Sequence, residues 1–232
     1  FNYDLPKELI AQEPAEPRDS CRLMMVDKKT GEWEHHHFRD ILDEIREGDV
    51  FVFNNTKVIP ARLYGKKKDT GGKVEMLLLT PKGNDTWEVL VNPGRKALPG
   101  VEIEFAENCY CKVLDKTEFG GRLVEFHYDG NFDSLLDQIG EMPTPPYIHK
   151  KLGNNDEYQT VYAKYKGSAA APTAGLHFTP ELMEEMKKKG AKLLFVTLHV
   201  GIGTFRPVSE ENIEDHEMHK EWYTVSEETA KE

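Results

Sequence analysis

Two histidines and their neighbours are the residues in this chain best suited to acid–base chemistry. His177 lies in a segment of small residues, AAPTAGLHF, in which Thr173 is the other strong polar group. His199 ends an apolar run, shortly before Gly201 and Gly203. An imidazole has an unperturbed pKa of about 6.5, so both of its protonation states are accessible near neutral pH. We therefore take His177 and His199 as candidate catalytic residues.

The apolar run that ends at His199 predicts a strand. This run, LLFVTLH, is nearly unbroken, a pattern typical of burial on both faces of a parallel sheet. Gly201 and Gly203 follow, and glycine lets a ligand approach the backbone closely. Open α/β sheets bind ligands outside the carboxyl ends of their strands. We expect the two glycines and Thr204 to contact a ligand, although Arg206 stands where a dinucleotide-binding GxGxxG motif needs its last glycine.

A helix is predicted directly before this strand. Thr179 is suited to cap it, Pro180 suits its first turn, and Gly190 is suited to end it. The order of loop, helix and buried strand leads us to expect that His177 and His199 share one pocket.

A second strand is predicted to end in polar residues, which makes its end a second candidate edge for a site. Residues 50–53 are apolar and are followed by Asn54, Asn55 and Thr56. Polar side chains at the carboxyl end of a buried strand repeat the arrangement around His199. Asn55 is therefore a candidate binding residue.

The middle of the chain has a different pattern. Short alternating runs separated by Gly and Pro turns predict an antiparallel sandwich or barrel. The runs are 74–79, 87–91, 101–105, 109–114 and 122–128. Prolines at 143, 145 and 146 impose extended backbone, as expected where the chain crosses between domains. We predict an α/β domain at 1–60 and 147–232, interrupted by an antiparallel β-barrel domain at 61–146.

Other segments show recognisable local signals. Residues 22–27 and 32–36 predict a hairpin, and residues 221–225 predict a strand followed by a helix with Ser226 as its cap. Asp40 is suited to cap a further helix that Gly48 ends. A last helix is predicted at 158–165 from a stripe of apolar and aromatic residues: Tyr158, Val161, Tyr162 and Tyr165. Such a stripe is more often core than a base-stacking surface, and both interpretations stay open.

Composition indicates a soluble globular protein. The 232 residues are 38% hydrophobic and 31% charged, and no apolar run approaches the roughly 20 residues of a membrane-spanning helix. Three cysteines argue against a disulfide scaffold and favour a reduced, cytoplasmic setting.

Charge is distributed unevenly along the chain. The net charge is −11, yet residues 57–96 contain nine Lys or Arg against four Asp or Glu, a local net of +5. A basic segment on an acidic protein can be an RNA-facing patch. A solvated loop at Lys66, Lys67 and Lys68 explains the same residues equally well.

A metal site is disfavoured by the histidine spacing. His35, His36 and His37 are adjacent, and adjacent strand residues point to opposite faces. His216 and His219 are separated by one residue fewer than the HExxH motif requires. We predict no metal.

Six blocks of sequence resemble the S-adenosylmethionine:tRNA ribosyltransferase-isomerases of queuosine biosynthesis. They are YDLPKELIAQ at 3–12, VIPARL at 58–63, PPYI at 145–148, YQTVYA at 158–163, AAPTAGLHF at 170–178 and TLHVGIGTF at 197–205. The blocks follow the family order and cover nearly all of the chain. The resemblance implies a three-layer α/β domain interrupted by a β-barrel. Family chains continue well past residue 232, so we expect a C-terminal part of the α/β domain to be absent here.

The resemblance also implies an activity. The family transfers and isomerises the ribosyl part of S-adenosylmethionine onto an aminomethyl-deazaguanine (preQ1) wobble base in the anticodon loop of tRNA. The products are epoxyqueuosine-tRNA, adenine and methionine. S-adenosylmethionine is then a substrate, and no true cofactor is expected. The expected partners are tRNA and S-adenosylmethionine, for a cytoplasmic monomer with no membrane association.

This reaction suggests roles for the candidate residues. A base must remove a proton beside the sulfonium and an acid must help adenine leave, so His177 and His199 could serve, although each could also be a hydrogen-bonded structural residue. Which is base and which is acid stays open. Thr173, Thr204 and the amides around Gly201 and Gly203 could hold ribose hydroxyls and the methionine carboxylate.

Other residues are suited to the RNA. Arg62 and Asn55 could contact phosphate or the edge of the deazaguanine. Tyr147 or Tyr162 could stack on a base, which is worth about 1–3 kcal/mol.

Two rival functions remain. A non-catalytic RNA-binding module would bind tRNA without consuming S-adenosylmethionine, and a His-dependent metallohydrolase would contain zinc and lose activity to a chelator.

Overall fold

A closed barrel and a small open sheet are the two main parts of the fold. The computed structural model describes residues 3–117, 120–201, 211–216, 218 and 220–232. The strands are β1 (Arg22–Val26), β2 (Trp33–His37), β3 (Val50–Asn54), β4 (Thr56–Val58), β5 (Arg62–Lys67), β6 (Lys73–Gly83), β7 (Thr86–Asn92), β8 (Glu102–Ala106), β9 (Cys109–Lys116), β10 (Arg122–His127), β11 (Tyr165–Ser168), β12 (Lys192–His199) and β13 (Trp222–Val225). The α-helices are α1 (Phe132–Ile139), α2 (Pro180–Lys188) and α3 (Glu227–Lys231).

The barrel confirms the predicted interruption of the α/β fold. Its order is β10-β7-β6-β5-β8-β9, every pair is antiparallel, and β9 pairs with β10 to close it. Inward side chains such as Leu63, Met76 and Ile103 are fully buried. Strand β5 is absent from the sequence prediction because Gly65 and Lys67 follow Leu63 on the same face of the strand, which obscures the alternation of apolar and polar residues. At its centre, a Cβ on Gly65 would lie 2.8 Å from the carbonyl oxygen of Glu104, so only glycine permits the close approach of β8.

The open sheet holds the strand that ends at His199. Strand β12 runs parallel to β3 and antiparallel to β13. Helix α2 covers one face, where its Leu182 and Met186 pack with Phe53 and Phe178. On β3 the opposite face exposes Val52. On β12 the side chains of both faces are mostly half-buried and only Lys192 is exposed, so the predicted burial on both faces is partial in the described residues.

Helix α2, with the residues that begin and end it, agrees with the sequence prediction. The Thr179 hydroxyl accepts a hydrogen bond from the backbone N–H of Leu182 at 3.1 Å. Gly190 ends the helical segment at φ +91, a conformation that favours glycine. The β1–β2 hairpin, strand β13 and the Ser226 cap of α3 are also confirmed.

Two predicted helices are wrong in type or extent. A 3-10 helix, Asn155–Tyr158, ends where the predicted helix begins, residues 159–164 are irregular, and β11 then pairs in parallel with β4. Strand pairing overrides the helical spacing there. The helix expected after Asp40 is a 3-10 helix, Phe38–Glu44, in which the Asp40 carboxylate accepts a hydrogen bond from the backbone N–H of His37 instead of capping from the first position.

The barrel is attached through two adjacent backbone segments. The N–H of Arg62 donates to the carbonyl of Glu141 at 3.1 Å, and the N–H of Glu141 donates to the carbonyl of Arg62 at 2.8 Å. Beside them, the side-chain amide of Gln159 binds both the N–H and the carbonyl of Val58, at 3.0 and 2.7 Å. The chain therefore enters and leaves the barrel at one place.

None of the helices in the described part of the chain is long and apolar enough to cross a membrane.

Candidate active site at the ends of two parallel strands

Strands β3 and β12 end side by side. Phe53 is the register partner of Phe195, and Asn54 is the partner of Val196. Beyond that point the Asn54 side chain continues the ladder, since its Nδ2 donates to the carbonyl of Leu198 at 2.9 Å and its Oδ1 accepts from the N–H of Leu198 at 3.0 Å. Asn54 thus holds the two polar strand ends in register.

Asn55 and Thr197 present a polar floor at this edge. The Thr197 hydroxyl donates to Oδ1 of Asn55 at 2.7 Å. The Nδ2 amino group of Asn55 has no hydrogen-bond partner among the described residues, and both Asn55 and Thr197 line a cavity. The bond from Thr197 fixes the orientation of the Asn55 side chain, so its N–H donors are available to a ligand.

His199 is held on three sides. Its Nδ1 lies 2.7 Å from the hydroxyl of Thr56, and the indole of Trp222 stacks on the imidazole with ring centroids 4.9 Å apart and planes at 18°. A Cβ on Gly167 would lie 2.7 Å from Nε2, so glycine alone allows β11 to pack against the ring. Burial lowers the pKa of His199 because the charged form is poorly solvated, which favours the neutral imidazole at neutral pH.

These residues line a cavity of about 780 Å³. Asn55, Thr197 and His199 form its floor. Its walls are aromatic, aliphatic and hydroxyl side chains from strands β11, β12 and β13, from helix α3 and from the N-cap of that helix. The wall residues are Tyr165, Leu193, Leu194, Phe195, Trp222, Thr224, Ser226 and Thr229. Ligand pockets are typically about 300–1,000 Å³, so this cavity has the size for a nucleoside-sized molecule.

The rim of the cavity carries two lysines. Lys164 has no ion pair among the residues described, and Lys166 lies 3.8 Å from Asp137 and 3.9 Å from Asp133. Glu228 is the carboxylate that lines the same cavity. The Lys164 ammonium lies 5.1 Å from the centroid of the Tyr165 ring. An ammonium without a carboxylate partner, beside hydrogen-bond donors, suits an anionic group such as a carboxylate or a phosphate.

A cavity of similar size, about 810 Å³, lies on the outside of the barrel. Its lining combines Lys66 and Lys73 with Glu75, Glu104 and Glu107. It contains no imidazole, and it does not lie at the end of a parallel strand. The cavity at His199 is therefore the better candidate for chemistry.

His177 does not line the cavity of His199. Its ring stacks on Phe38 with centroids 5.0 Å apart and planes at 26°, and its Nδ1 lies 3.0 Å from the carbonyl of Ala174. From Phe38, contacting rings lead through Phe178, Phe53 and Phe195 to the cavity wall. The expectation that the two histidines share one pocket is wrong in this structure, because an aromatic cluster separates them.

Tyr162 and Thr173 also lie outside the cavity lining. The Tyr162 ring packs on Phe53 and Phe195, and a Cβ on Gly175 would lie 2.0 Å from its hydroxyl oxygen. Burial raises the pKa of Tyr162 to about 12. Thr173 is exposed at the start of a 3-10 helix, Thr173–His177. Stacking by Tyr162 on a nucleobase would require these ring contacts to open.

Arg62 and Tyr147 lie at the base of the barrel. An Nη of Arg62 donates to the carbonyl of Thr144 at 3.1 Å. Its Nε lies 3.0 Å from Oε1 of Glu75, close enough for an ion pair, but the N–H does not point at that oxygen, so the two do not form a hydrogen bond. Arg62 lines a separate cavity of about 400 Å³. Tyr147 does not line that cavity, but it is 52% exposed, so its ring is accessible to a base. These two residues are candidates for contact with RNA away from His199.

Of the predicted ligand-binding residues Gly201, Gly203 and Thr204, the structure describes only Gly201. The N–H of Gly201 donates to Oε1 of Glu221 at 2.9 Å, so this amide is already occupied. Gly203 and Thr204 lie outside the described residues, as do Glu217 and His219. Within the described part of the chain, no group of three or more His, Cys, Asp or Glu side chains is arranged to hold a metal ion.

Sequence reasoning missed several residues of this site. Thr56 was visible as a polar residue after a strand, but its contact with His199 depends on the pairing of β3 with β12. Trp222 and Lys164 carried no local signal, since their importance comes from long-range packing. Gly167 is distinguished by φ +145 and by its contact with the imidazole, neither of which a single sequence shows.

Comparisons with known proteins agree with the motifs. A profile of the family described as Queuosine biosynthesis protein matches residues 1–232. The S-adenosylmethionine:tRNA ribosyltransferase-isomerase of Thermoanaerobacter sp. (strain X514) is 58% identical over 233 residues, covering 100% of this chain and 68% of the relative. The protein of the same name from Heliobacterium modesticaldum is 53% identical, with 100% and 68% covered.

A solved structure is also similar in sequence. The crystallised S-adenosylmethionine tRNA ribosyltransferase of Thermotoga maritima is 36% identical, with a TM-score of 0.41. The match covers 100% of this chain and 63% of that one. The chain therefore spans about two thirds of the length of the relatives it matches.

Proposed function

The chain belongs to the queuosine biosynthesis protein family, and from this membership we propose that it carries the catalytic cavity of an S-adenosylmethionine:tRNA ribosyltransferase-isomerase. The proposed reaction transfers and isomerises the ribosyl moiety of S-adenosylmethionine onto the preQ1 wobble base of tRNA. It yields epoxyqueuosine-tRNA, adenine and methionine. The observation that carries the proposal is the convergence of Asn55, Thr197 and His199 in one cavity, in a chain 58% identical to a relative of that name.

The cavity offers groups suited to S-adenosylmethionine as a substrate. The free amide donors of Asn55 match ribose hydroxyls or the methionine carboxylate, and the unpaired ammonium of Lys164 matches an anion. Trp222 supplies a partly exposed aromatic surface beside them. The ligand acts here as the ribosyl donor and is consumed, so the proposal requires no separate cofactor.

His199 is the proposed catalytic residue of the cavity. The sulfonium acidifies the neighbouring carbon, so the reaction begins with transfer of a proton from that carbon to a base, and adenine then has to leave with its charge stabilised. His199 is proposed for the second of these steps. A positioned side chain contributes about 100- to 10,000-fold to such steps. A catalytic role for His177 is a separate proposal, and it requires that ring to reach the ligand from outside the cavity lining.

The tRNA is proposed to approach from the rim that Lys164 and Lys166 form. Sequence-specific RNA recognition favours single-stranded loops whose bases can be splayed out, which suits a wobble base. Tyr147, Arg62 and the basic segment of the barrel are proposed contacts farther along the RNA. We place the reaction in the cytoplasm, with the chain acting as a monomer.

A double-label assay tests the proposal. The chain is incubated with preQ1-containing tRNA and S-adenosylmethionine labelled either in the ribosyl carbons or in the methyl group. We expect the ribosyl label in the tRNA, the methyl label in free methionine, and one adenine released for each ribosyl group transferred. The Thermoanaerobacter relative, assayed in parallel, establishes that the tRNA preparation is competent.

Other outcomes identify the rival functions. Methyl label in the tRNA would indicate a methyltransferase. Binding of tRNA with no adenine release, while the relative is active, would indicate an RNA-binding module. Zinc in the purified chain, with activity lost to a chelator, would indicate a metallohydrolase.

A further inference from the structure

The hydroxyl of Thr56 has a single hydrogen-bond partner among the described residues. That partner is Nδ1 of His199, at 2.7 Å. Thr56 is 0% exposed, so water does not compete for its proton. A buried donor without an acceptor is unfavourable, and Nδ1 is the acceptor within reach in the described structure. The O–H of Thr56 therefore donates to Nδ1.

This direction of the hydrogen bond determines where the imidazole carries its proton. In a neutral imidazole one nitrogen is a donor and the other an acceptor. Because Nδ1 of His199 accepts from Thr56, the proton of the neutral ring resides on Nε2. The opposite tautomer would point Nδ1–H at the Thr56 oxygen and leave the buried hydroxyl proton without an acceptor among these residues.

The faces of the imidazole are both covered. Trp222 stacks on one face at a centroid distance of 4.9 Å. A Cβ on Gly167 would lie 2.7 Å from Nε2, 2.9 Å from Cε1 and 3.0 Å from Cδ2 of His199. If the added Cβ lay in the plane of the ring, Cε1 and Cδ2 would be clearly farther from it than Nε2 is. Because the three distances are nearly equal, the Cβ position lies above the ring, on the face that Trp222 leaves open. The Nε2 edge is the part of the ring left for a ligand.

We infer that Thr56 is a positioning residue that fixes the tautomer of His199, so that the neutral ring presents an Nε2–H donor to the ligand in the cavity. Lys164, Lys166 and Glu228 are the charged side chains that line the same cavity. Burial, which lowers the pKa of His199, keeps the ring in this neutral form.

The chemical role of the donor rests on the proposed function. Under it, Nε2–H hydrogen-bonds an acceptor atom of the ribosyl donor, a purine nitrogen or a ribose oxygen, and stabilises the charge that develops there. Neutral His199 is then unsuited to act as a base through Nε2, since that nitrogen already carries a proton. The tautomer itself is independent of any substrate.

Nitrogen NMR tests the tautomer directly. Long-range proton–nitrogen spectra of the ¹⁵N-labelled chain are recorded at about pH 8, well above the ordinary imidazole pKa. The His199 signals are assigned by their loss in His199→Gln. We expect Nδ1 to give the shift of an unprotonated nitrogen and Nε2 that of a protonated one.

Two substitutions of Thr56 give a matched pair. Thr56→Val keeps the shape of the side chain and removes the hydroxyl, and it is expected to move His199 toward the other tautomer or a mixture. Thr56→Ser keeps the hydroxyl and is expected to preserve the wild-type pattern. For adenine release, Thr56→Val is expected to lower kcat by about 10- to 100-fold, and Thr56→Ser to restore most of it.

Either of two NMR results would overturn the inference. One is a wild-type spectrum in which Nδ1 carries the proton; the other is a Thr56→Val spectrum identical to wild type. If Thr56→Val does not fold, the wild-type and Thr56→Ser spectra decide alone. Because NMR needs no substrate, a failed transferase assay with the expected spectrum would reject the proposed function and leave the tautomer standing.

Discussion

The side chain of Asn54 binds the backbone of Leu198 as a neighbouring strand would. Its Nδ2 donates to the Leu198 carbonyl at 2.9 Å, and its Oδ1 accepts from the Leu198 N–H at 3.0 Å. The same oxygen accepts from the N–H of Thr56 at 3.1 Å. One amide therefore aligns the two segments that carry the cavity floor, since Leu198 lies between Thr197 and His199.

Asn54→Asp is expected to destabilise the protein by about 1–3 kcal/mol. A carboxylate keeps the acceptor but cannot donate to Leu198, and it places a negative oxygen against the carbonyl. Urea unfolding measures the free energy. Gln138→Glu on the exposed surface of α1 is the control for an amide-to-carboxylate change, and it should stay near wild type. Equal effects of the two substitutions would contradict the role of Asn54.

Replacement of the two histidines separates their proposed roles. His199→Gln is expected to slow adenine release by about 100-fold or more, because the cavity loses its imidazole. His177→Gln is expected to change the rate only a fewfold, since that ring packs on Phe38 outside the cavity lining. Initial rates at saturating S-adenosylmethionine provide the comparison. A large loss in His177→Gln, with unchanged urea stability, would restore His177 as a catalytic residue.

Gly167→Ala is expected to lower both stability and activity. The backbone there has φ +145, and the added methyl would lie 2.7 Å from Nε2 of His199. Gly130→Ala is the matched control, because Gly130 has φ +84 with nothing within 4 Å of an added Cβ. Each is expected to cost about 1–3 kcal/mol from backbone strain. Only Gly167→Ala should also reduce adenine release, so equal activities in the two variants would exclude the ring contact.

The pH dependence of stability follows from the lowered pKa of His199. The folded state holds fewer protons on this ring than the unfolded state does between the lowered value and the ordinary value of about 6.5. Stability therefore rises with pH through that window and is unaffected by this group above it. We expect the stability of wild type relative to His199→Gln to decline as the pH falls below about 6.5. Urea midpoints of both proteins across that range test this, and parallel curves would refute it.

Charge reversal at the end of strand β5 and at the residue that follows it tests the proposed RNA surface. Lys67 pairs with Asp69 at 3.3 Å and Lys68 with Glu102 at 3.0 Å, whereas Lys66 has no ion pair in the described structure. Changing Lys66, Lys67 and Lys68 together to Glu should weaken tRNA binding and flatten its salt dependence, with most of the effect from Lys66. Lys28→Glu on the β1–β2 turn is the control. Unchanged affinity and salt slope would remove this patch from the interface.

Local signals in the sequence predicted much of the fold. The Thr179 cap and the Gly190 stop define α2 because they act within a single turn of chain. The barrel was recognisable because alternation along each strand depends on local residues. The helix predicted at 158–165 failed because Tyr165 pairs with Thr56, a contact that no local pattern encodes.

The site was predictable in position and less so in composition. Asn55 and His199 follow apolar runs, and strand ends of this kind converge in α/β sheets. Trp222 reaches the imidazole only through the pairing of β13 with β12, so the spacing of residues could not reveal it. His177 was misplaced because its loop packs on Phe38, which is remote in sequence.

The mutual hydrogen bonds between Arg62 and Glu141 make the barrel a side loop of the α/β chain. The chain leaves the α/β part at Arg62 and returns at Glu141, and these two residues pair with each other as the ends of a tight turn do. A short linker joining those two positions would leave the rest of the parent backbone where it is. Evolution could thus add, enlarge or exchange the barrel while the strands that carry His199 keep their geometry.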